Sequence, residues 1–183
     1  MTEGPKPVRR IVTMDDAGGK SVAIEDGPVR DVRTDPAGPG FVSTRVWVTD
    51  ATPVRIKHAR EALALPHRIE PPPRGSVCRI VTFAPDAAFR GKIAGAEVAA
   101  FFRAMGSPAA STYSPKAPHP YMQKTRTLDF CVILDGEITL VLDTEEVHLA
   151  AGDTVVQRGT NHAWSNRSNR PCIIAISSHD AAD

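Results

Sequence analysis

The residues of this chain with evident chemical capacity gather in its second half. Asp129 lies in "TLDFCVILDG" and His162 in "GTNHAWSN". A carboxylate and an imidazole are the side chains most often used to move protons between heavy atoms. Successive side chains of a strand point to opposite faces, so Gln123, Thr125, Thr127 and Asp129 share one face and Lys124 and Arg126 the other. Cys131 and Ile133 continue the Asp129 face, and His162, Trp164 and Asn166 share another. Gln123 and Thr125 are suited to orient a carbonyl or hydroxyl. Asn166, just before "RSNRP", has the character of a turn former. No Ser-His-Asp arrangement, phosphate-binding loop or dinucleotide fingerprint competes with this set.

The elements that must position these residues are short strands. From 127 onward they follow in quick succession, at 127–134, 137–142, 145–149, 154–157, 161–166 and 171–178. Turns such as "LDGE", "AAGD" and "QRGT" separate them. Many short strands with Gly-rich turns indicate an all-β barrel or sandwich. Upstream, "SVCRIVTFAP" (76–85) reads as a strand, and "AGAEVAAFFRAMGS" (94–107) as the one helix. Val98, Phe101, Phe102 and Met105 form the helix's apolar face, and Gly106 ends it. The proline-rich loop 107–120 has the length of a lid or of a mouth lining.

The first 75 residues read as an arm with strands and a Pro-rich connection, and residues 76–183 as the barrel. "RRIVT" (9–13) and "SVAIED" (21–26) pattern as a hairpin. In "GFVSTRVWVTD" (40–50), alternation places Val42, Thr44, Val46 and Val48 on one face and Phe41, Ser43, Arg45 and Trp47 on the other. A helical turn fits 58–65, before "PPP" stops it.

Composition narrows the partners. The chain has 183 residues, with 22 Lys and Arg against 21 Asp and Glu. That balance argues against a nucleic-acid binder. No apolar run approaches the roughly 20 residues of a membrane span, and "MTEGPKPVRR" lacks the apolar core of a secretory signal. The expectation is a cytoplasmic protein without membrane or nucleic-acid partners. Cys78, Cys131 and Cys172 have no C-x-x-C spacing and read as small buried hydrophobes.

Residues 76–180 resemble the cupin superfamily. Asp129, "FCVILDG" and Gly136 match the end of that family's first motif. "GDTVVQRGTNHAWSN", with Gly152, Asp153, Gly159, His162 and Asn166, matches its second, with Gln157 where proline is common. The stretch also resembles a bacterial single-domain cupin subgroup with a similar N-terminal arm. The resemblance implies a cupin-type double-stranded β-helix, a jelly-roll barrel, with Asp129 and His162 pointing inside as a general acid/base pair. Gln123, Thr125, Cys131, Gln157, Trp164 and Tyr121 would line the substrate site.

The family's paired metal-binding histidines fall at Gln123 and Thr125, so no cofactor is expected. A divalent metal enters only as an alternative, on His119, Asp129 and His162. The implied activity is lyase or isomerase chemistry, namely dehydration, decarboxylation or cyclisation of a carbonyl or carboxylate compound. A non-catalytic small-molecule binder or sensor and a metal-dependent oxygenase with an unusual ligand set are the alternatives. The strand-like arm implies a homodimer.

Overall fold

The computed structural model describes residues 7–56, 64–89 and 91–182. Most of the helical turn expected over 58–65 lies outside them. Eleven strands and one α-helix are described. The N-terminal hairpin joins β1 (Arg9–Asp15) to β2 (Ser21–Pro28) as a separate two-stranded ribbon. Next come β3 (Val32–Thr34), β4 (Val42–Thr49), β5 (Ser76–Phe83) and α1 (Gly95–Ala104). The rest is β6 (Thr127–Asp135), β7 (Glu137–Val141), β8 (Glu146–Ala150), β9 (Thr154–Arg158), β10 (Ala163–Ser165) and β11 (Cys172–Asp180).

These strands form the two sheets of a jelly roll. One has six strands in the order β3-β4-β5-β11-β6-β9, and the other has three in the order β10-β7-β8. β3 and β4 thus continue the main sheet through the β4–β5 ladder. The hairpin stands apart from the sheets but is pinned to β4. Arg10 is buried, donates from Nη1 to the Val46 carbonyl at 3.0 Å, and lies 5.5 Å from the centre of the Trp47 ring.

Alternation sorts β6 cleanly. Thr127, Asp129, Cys131 and Ile133 are buried, while Phe130, Val132 and Leu134 are exposed. In β4 the expected alternation fails. A bulge falls between Arg45 and Trp47, so Arg45 pairs with Arg79 but Val48 pairs with Val77. The extra residue shifts the phase, so Ser43, Arg45 and Val48 share one face with Val81, Arg79 and Val77. The sequence pattern alone had set Val48 opposite Ser43 and Arg45.

The core is apolar where the sheets meet. Cys131, Ile133, Ile138, Leu140, Leu149, Trp164, Cys172 and Ile174 form one cluster. Each aliphatic side chain fully buried there contributes about 2 kcal/mol. A second cluster closes one end of the barrel, where α1 packs Val98, Phe101, Phe102 and Met105 against Phe41, Ile69, Ile93 and Tyr121. Glu97 caps the helix by accepting from the Ala94 N–H at 3.1 Å. The turn between β6 and β7 depends on Gly136, at φ +83°. A Cβ there would lie 2.8 Å from the Pro171 carbonyl oxygen. None of the three cysteines is in a disulfide.

Candidate functional site

The main sheet lays its inward side chains in rows. Arg45, Arg79, Ile176, Cys131 and Val155 follow one another across β4, β5, β11, β6 and β9. The adjacent row runs Val48, Val77, Ser178, Asp129 and Gln157, and the row on the other side begins Ser43, Val81, Ile174 and Ile133. Arg79 and Asp129 therefore sit one row apart with β11 between them.

A cavity opens to solvent between these rows and α1. Its walls are largely apolar and aromatic, with Phe41, Phe83, Phe89, Phe101, Tyr121 and Trp164 among them. Polar groups enter from Asp35, Ser43, Arg79, Asp86 and Gln123. A mostly apolar concavity with a few convergent polar groups is the usual form of a small-molecule site. No lining residue comes from the 107–120 loop, although Met105 and Tyr121, on either side of it, both line the wall.

His162 is 4% exposed and is fixed by its backbone. It exchanges two hydrogen bonds with Gln123, N–H to carbonyl at 2.8 and 2.9 Å. Its Nδ1 lies 2.9 Å from the Thr160 carbonyl oxygen. A carbonyl only accepts, so Nδ1 carries the proton and Nε2 keeps its lone pair. The Gln123 amide nitrogen lies 3.4 Å from that Nε2, and the Gln157 amide lies 3.2 Å from Nδ1. Burial pushes the imidazole pKa below its ordinary value, and the Thr160 bond and the Asp129 charge oppose this only in part. The ring is neutral near pH 7.

Asp129 is buried, and its Oδ1 has no hydrogen-bond partner among the described residues. Thr125 and Thr127 bond to each other through their hydroxyls at 2.8 Å. Cys131 lies in the apolar core outside the cavity lining, and burial raises its thiol pKa to about 12, which keeps it an inert thiol. Of the expected site residues, Gln123, Trp164 and Tyr121 line the cavity. His162 sits behind Gln123, with its ring 6.1 Å from that of Trp164 in edge-to-face geometry. Gln157, Thr125 and Asp129 lie deeper, outside the cavity lining.

The alternative metal set does not come together. His119 is turned to Asp86 and Tyr121, with Nε2 3.9 Å from Asp86 and Nδ1 accepting from the Tyr121 N–H at 3.2 Å. Among the described residues, no three His, Cys, Asp or Glu side chains are grouped to hold an ion. A neutral amide at Gln123 and a hydroxyl at Thr125 are poor substitutes for two imidazoles. The residues present therefore do not fit the metal that the fold family implies.

Sequence reading missed Arg79 and Ser43. Arg79 is 4% exposed and donates from Nη2 to the carbonyls of Arg68 and Ile69, at 3.0 and 2.6 Å. Burial lowers its pKa to about 10, while Asp129 and Glu70 hold it up. It remains a cation at neutral pH. Among the described residues its Nε has no partner, and neither does the Ser43 hydroxyl, which is fully buried. The signal was present in "SVCRIVTF", where Arg79 falls in phase with Val77, Val81 and Phe83. A charge in an inward position is either paired or functional. Ser43 was hidden by the bulge in β4.

Asp35 and Asp86 also line the cavity, but both are fully engaged. Asp35 accepts from the Tyr121 hydroxyl at 2.6 Å and from the Ala37 N–H at 3.0 Å. Together with burial, which dominates, this bond raises the Tyr121 pKa and keeps the phenol protonated. Asp86 accepts from Ser165 Oγ at 2.6 Å and from the Asn166 N–H at 3.0 Å.

The two-sheet barrel and its inward acid and imidazole define a class, and the family comparison agrees with it. A family model for the cupin domain matches residues 111–177. Over those residues the chain is similar to the cupin domain. Among curated relatives, the phomopsin biosynthesis cluster protein C' of Diaporthe leptostromiformis is 57% identical over 49 residues, 26% of each chain. The cupin-domain-containing oxidoreductase virC of Hypocrea virens is 28% identical over 131 residues, 66% of this chain and 48% of that one. The match thus spans about a quarter of the first relative's length and about half of the second's. A solved cupin 2 conserved barrel domain protein from Salinispora arenicola has 15% identity and a TM-score of 0.44, covering 87% of this chain and 92% of that one. Among the described residues no helix is long and apolar enough to cross a membrane.

Proposed function

We propose that this cupin is an enzyme of small-molecule metabolism that catalyses proton transfer on a carbonyl or carboxylate compound held in the cavity. The reaction is of lyase or isomerase type. The observation that carries the reading is the state of His162: neutral, in one tautomer, with its Nε2 lone pair on the side of the cavity-lining Gln123. A base needs that lone pair, and a fixed ring orientation lowers the cost of aiming it.

The Gln123 amide contact, at 3.4 Å, is long, so rotation of this side chain opens Nε2 to a ligand. The imidazole then takes the proton from a carbon next to the carbonyl, and the bonding pair moves onto the carbonyl oxygen. The buried Asp129 charge stabilises the imidazolium so formed, which returns the proton to carbon or gives it to a leaving group. Relatives named for biosynthesis clusters support a small-molecule role.

The test is proton exchange. Wild-type protein is incubated in D2O with a panel of aromatic ketones and aromatic 2-oxo acids, and loss of the C–H signal next to the carbonyl is followed by NMR. The reading expects exchange with at least one compound, abolished in His162→Ala while binding persists. One observation favours a second reading, a non-catalytic binder: His162 and Asp129 both lie outside the cavity lining. Tight binding across the panel without exchange selects that reading.

We also propose a cytoplasmic homodimer in which the β1–β2 ribbon takes part. Its Ile11, Met14, Val22 and Ile24 are exposed. Deletion of residues 1–28 removes the ribbon together with its Arg10 contacts to β4 and should shift the mass measured by light scattering from two chains to one. A dimer that survives the deletion refutes the ribbon's role.

A further inference from the structure

We infer that Ser43 and Arg79 form a two-donor cradle for the carbonyl oxygen of an uncharged, largely aromatic ligand, and that Arg79 is a catalytic residue of the proposed reaction. Two neighbouring strands carry the cradle. Ser43 on β4 lies directly opposite Val81 on β5, and Arg79 is two residues along from Val81, so both side chains emerge on the same inward face. Both line the cavity. Both are at least nine-tenths buried, and each presents a polar atom, Ser43 Oγ and Arg79 Nε, that nothing in the described protein satisfies.

Buried donors are satisfied in folded proteins with few exceptions, and the exceptions call for a cause. An acceptor oxygen brought by a ligand satisfies both at once. Paired donors aimed at one oxygen are also the arrangement that stabilises negative charge developing there. In the enolisation step, the proton leaves carbon for His162 Nε2, the electron pair arrives on this oxygen, and the guanidinium offsets its charge. When the imidazolium gives the proton back, the carbonyl re-forms.

Charge balance selects a neutral ligand over a carboxylate. The lining already holds the carboxylates of Asp35 and Asp86, and among the described residues Arg79 is the one cation in the wall. Asp129 and Glu70 act on that same cation. A further anion would leave the cavity with an excess of negative charge in a low-dielectric setting, where repulsion is strong. The aromatic wall of Phe41, Phe101, Tyr121 and Trp164 supplies the rest of the recognition. This inference rests on the proposed chemistry for its catalytic part only, since ligand selection is a matter of binding.

The experiment compares three probes of similar shape: 4-phenylbutan-2-one, 3-phenylpropanoate and butylbenzene. Dissociation constants are measured by ligand-observed NMR on the full chain. The ketone should bind about 10-fold or more tightly than the hydrocarbon, as expected for a hydrogen bond to a buried charged donor. It should also bind more tightly than the carboxylate. Ser43→Ala should weaken the ketone several-fold, leave butylbenzene unchanged, and leave the thermal midpoint equal or higher, because an unsatisfied hydroxyl has been removed. Arg79→Lys should abolish the preference for ketone over hydrocarbon, with butylbenzene binding as the check that the barrel is folded.

Equal binding of ketone and hydrocarbon to the wild type overturns the inference and leaves Arg79 a structural residue held by the Arg68 and Ile69 carbonyls. Preference for the carboxylate overturns it in favour of an anion site. Neither result bears on deuterium exchange. Ketone selectivity without exchange refutes the proposed chemistry alone, and exchange insensitive to Ser43 and Arg79 refutes the cradle alone.

Discussion

Two ends of one short stretch, His162 to Asn166, are treated very differently by the fold. At the Asn166 end every polar group is used. Asn166 donates from Nδ2 to the carbonyls of Phe83 and Arg170, both at 2.9 Å, and its Oδ1 accepts from Ser168 N and Oγ. Its backbone N–H reaches Asp86 Oδ1, and its carbonyl accepts from Asp86 N at 2.7 Å. Asp86 also accepts from Ser165. At the His162 end the reverse holds. The imidazole has one firm side-chain bond, to the Thr160 carbonyl, and Asp129 Oδ1, Arg79 Nε and Ser43 Oγ are left open. A saturated buried network rigidifies a fold, whereas an unsaturated one costs stability and persists where it is used. Asp86 and Asn166 therefore belong with the architecture, and His162, Asp129, Arg79 and Ser43 are the residues the proposed function draws on.

Breaking the saturated end should cost most. Asn166→Ala strands two carbonyls and two donors at once. It is expected to lower stability by about 3 kcal/mol, or roughly 10 °C in thermal midpoint. A midpoint within 2 °C of wild type, about the shift of half a kcal/mol, would contradict the structural role. Asp86→Asn keeps the shape but loses one charged acceptor and brings a donor towards existing donors. A loss of about 1–3 kcal/mol is expected in a chemical denaturation series.

Acid should act through the histidines. Burial lowers the folded-state pKa of both His67 and His162. For such groups the unfolded chain binds more protons once the pH falls below the unfolded histidine value, about 6.5. The stability from keeping these rings neutral is complete above that value and is lost progressively as the pH falls towards the folded values. The thermal midpoint should therefore decline from pH 7 to pH 5, and less steeply in His162→Gln. An identical slope in that variant would show that His162 does not titrate with unfolding.

The smallest effect on stability belongs to the open end. Asp129→Asn should cost less stability than Asn166→Ala, because Oδ1 has no bond to lose and only the charge near buried Arg79 is removed. It should nevertheless slow deuterium exchange, because the imidazolium formed on His162 loses its counter-charge. A large drop in stability with exchange unchanged would reverse the assignment of Asp129.

Much of this was legible in the chain itself. The period-two pattern of "TLDFCVILD" sorted inward Asp129 from outward Phe130 correctly, and the helix over 94–107 was marked by its apolar face and Gly106. The motif match put Gln123 at the place of a metal-binding histidine, and the structure shows it bonded to His162 through two backbone hydrogen bonds. The rest was hidden for physical reasons. A bulge adds a residue without leaving a mark in composition, so the phase of β4 past Arg45, and with it the inward row of Ser43, Arg45 and Val48, could not be read from alternation. Arg79 lies in a strand otherwise rich in apolar residues, and the strand pattern by itself gave it no role. The Asp86–Asn166 bonds join residues 80 apart in sequence, and no local pattern encodes them.

The proposed chemistry needs His162 held neutral, with Nδ1 protonated and the Nε2 lone pair facing only the long Gln123 amide contact. Long-range 1H–15N correlation of the imidazole ring in uniformly 15N-labelled protein, assigned through His162→Gln, tests this directly. At pH 7 an N–H resonance at Nδ1 and an unprotonated Nε2 are expected, persisting below pH 6.5. An Nε2–H tautomer, or an imidazolium at pH 7, would contradict it.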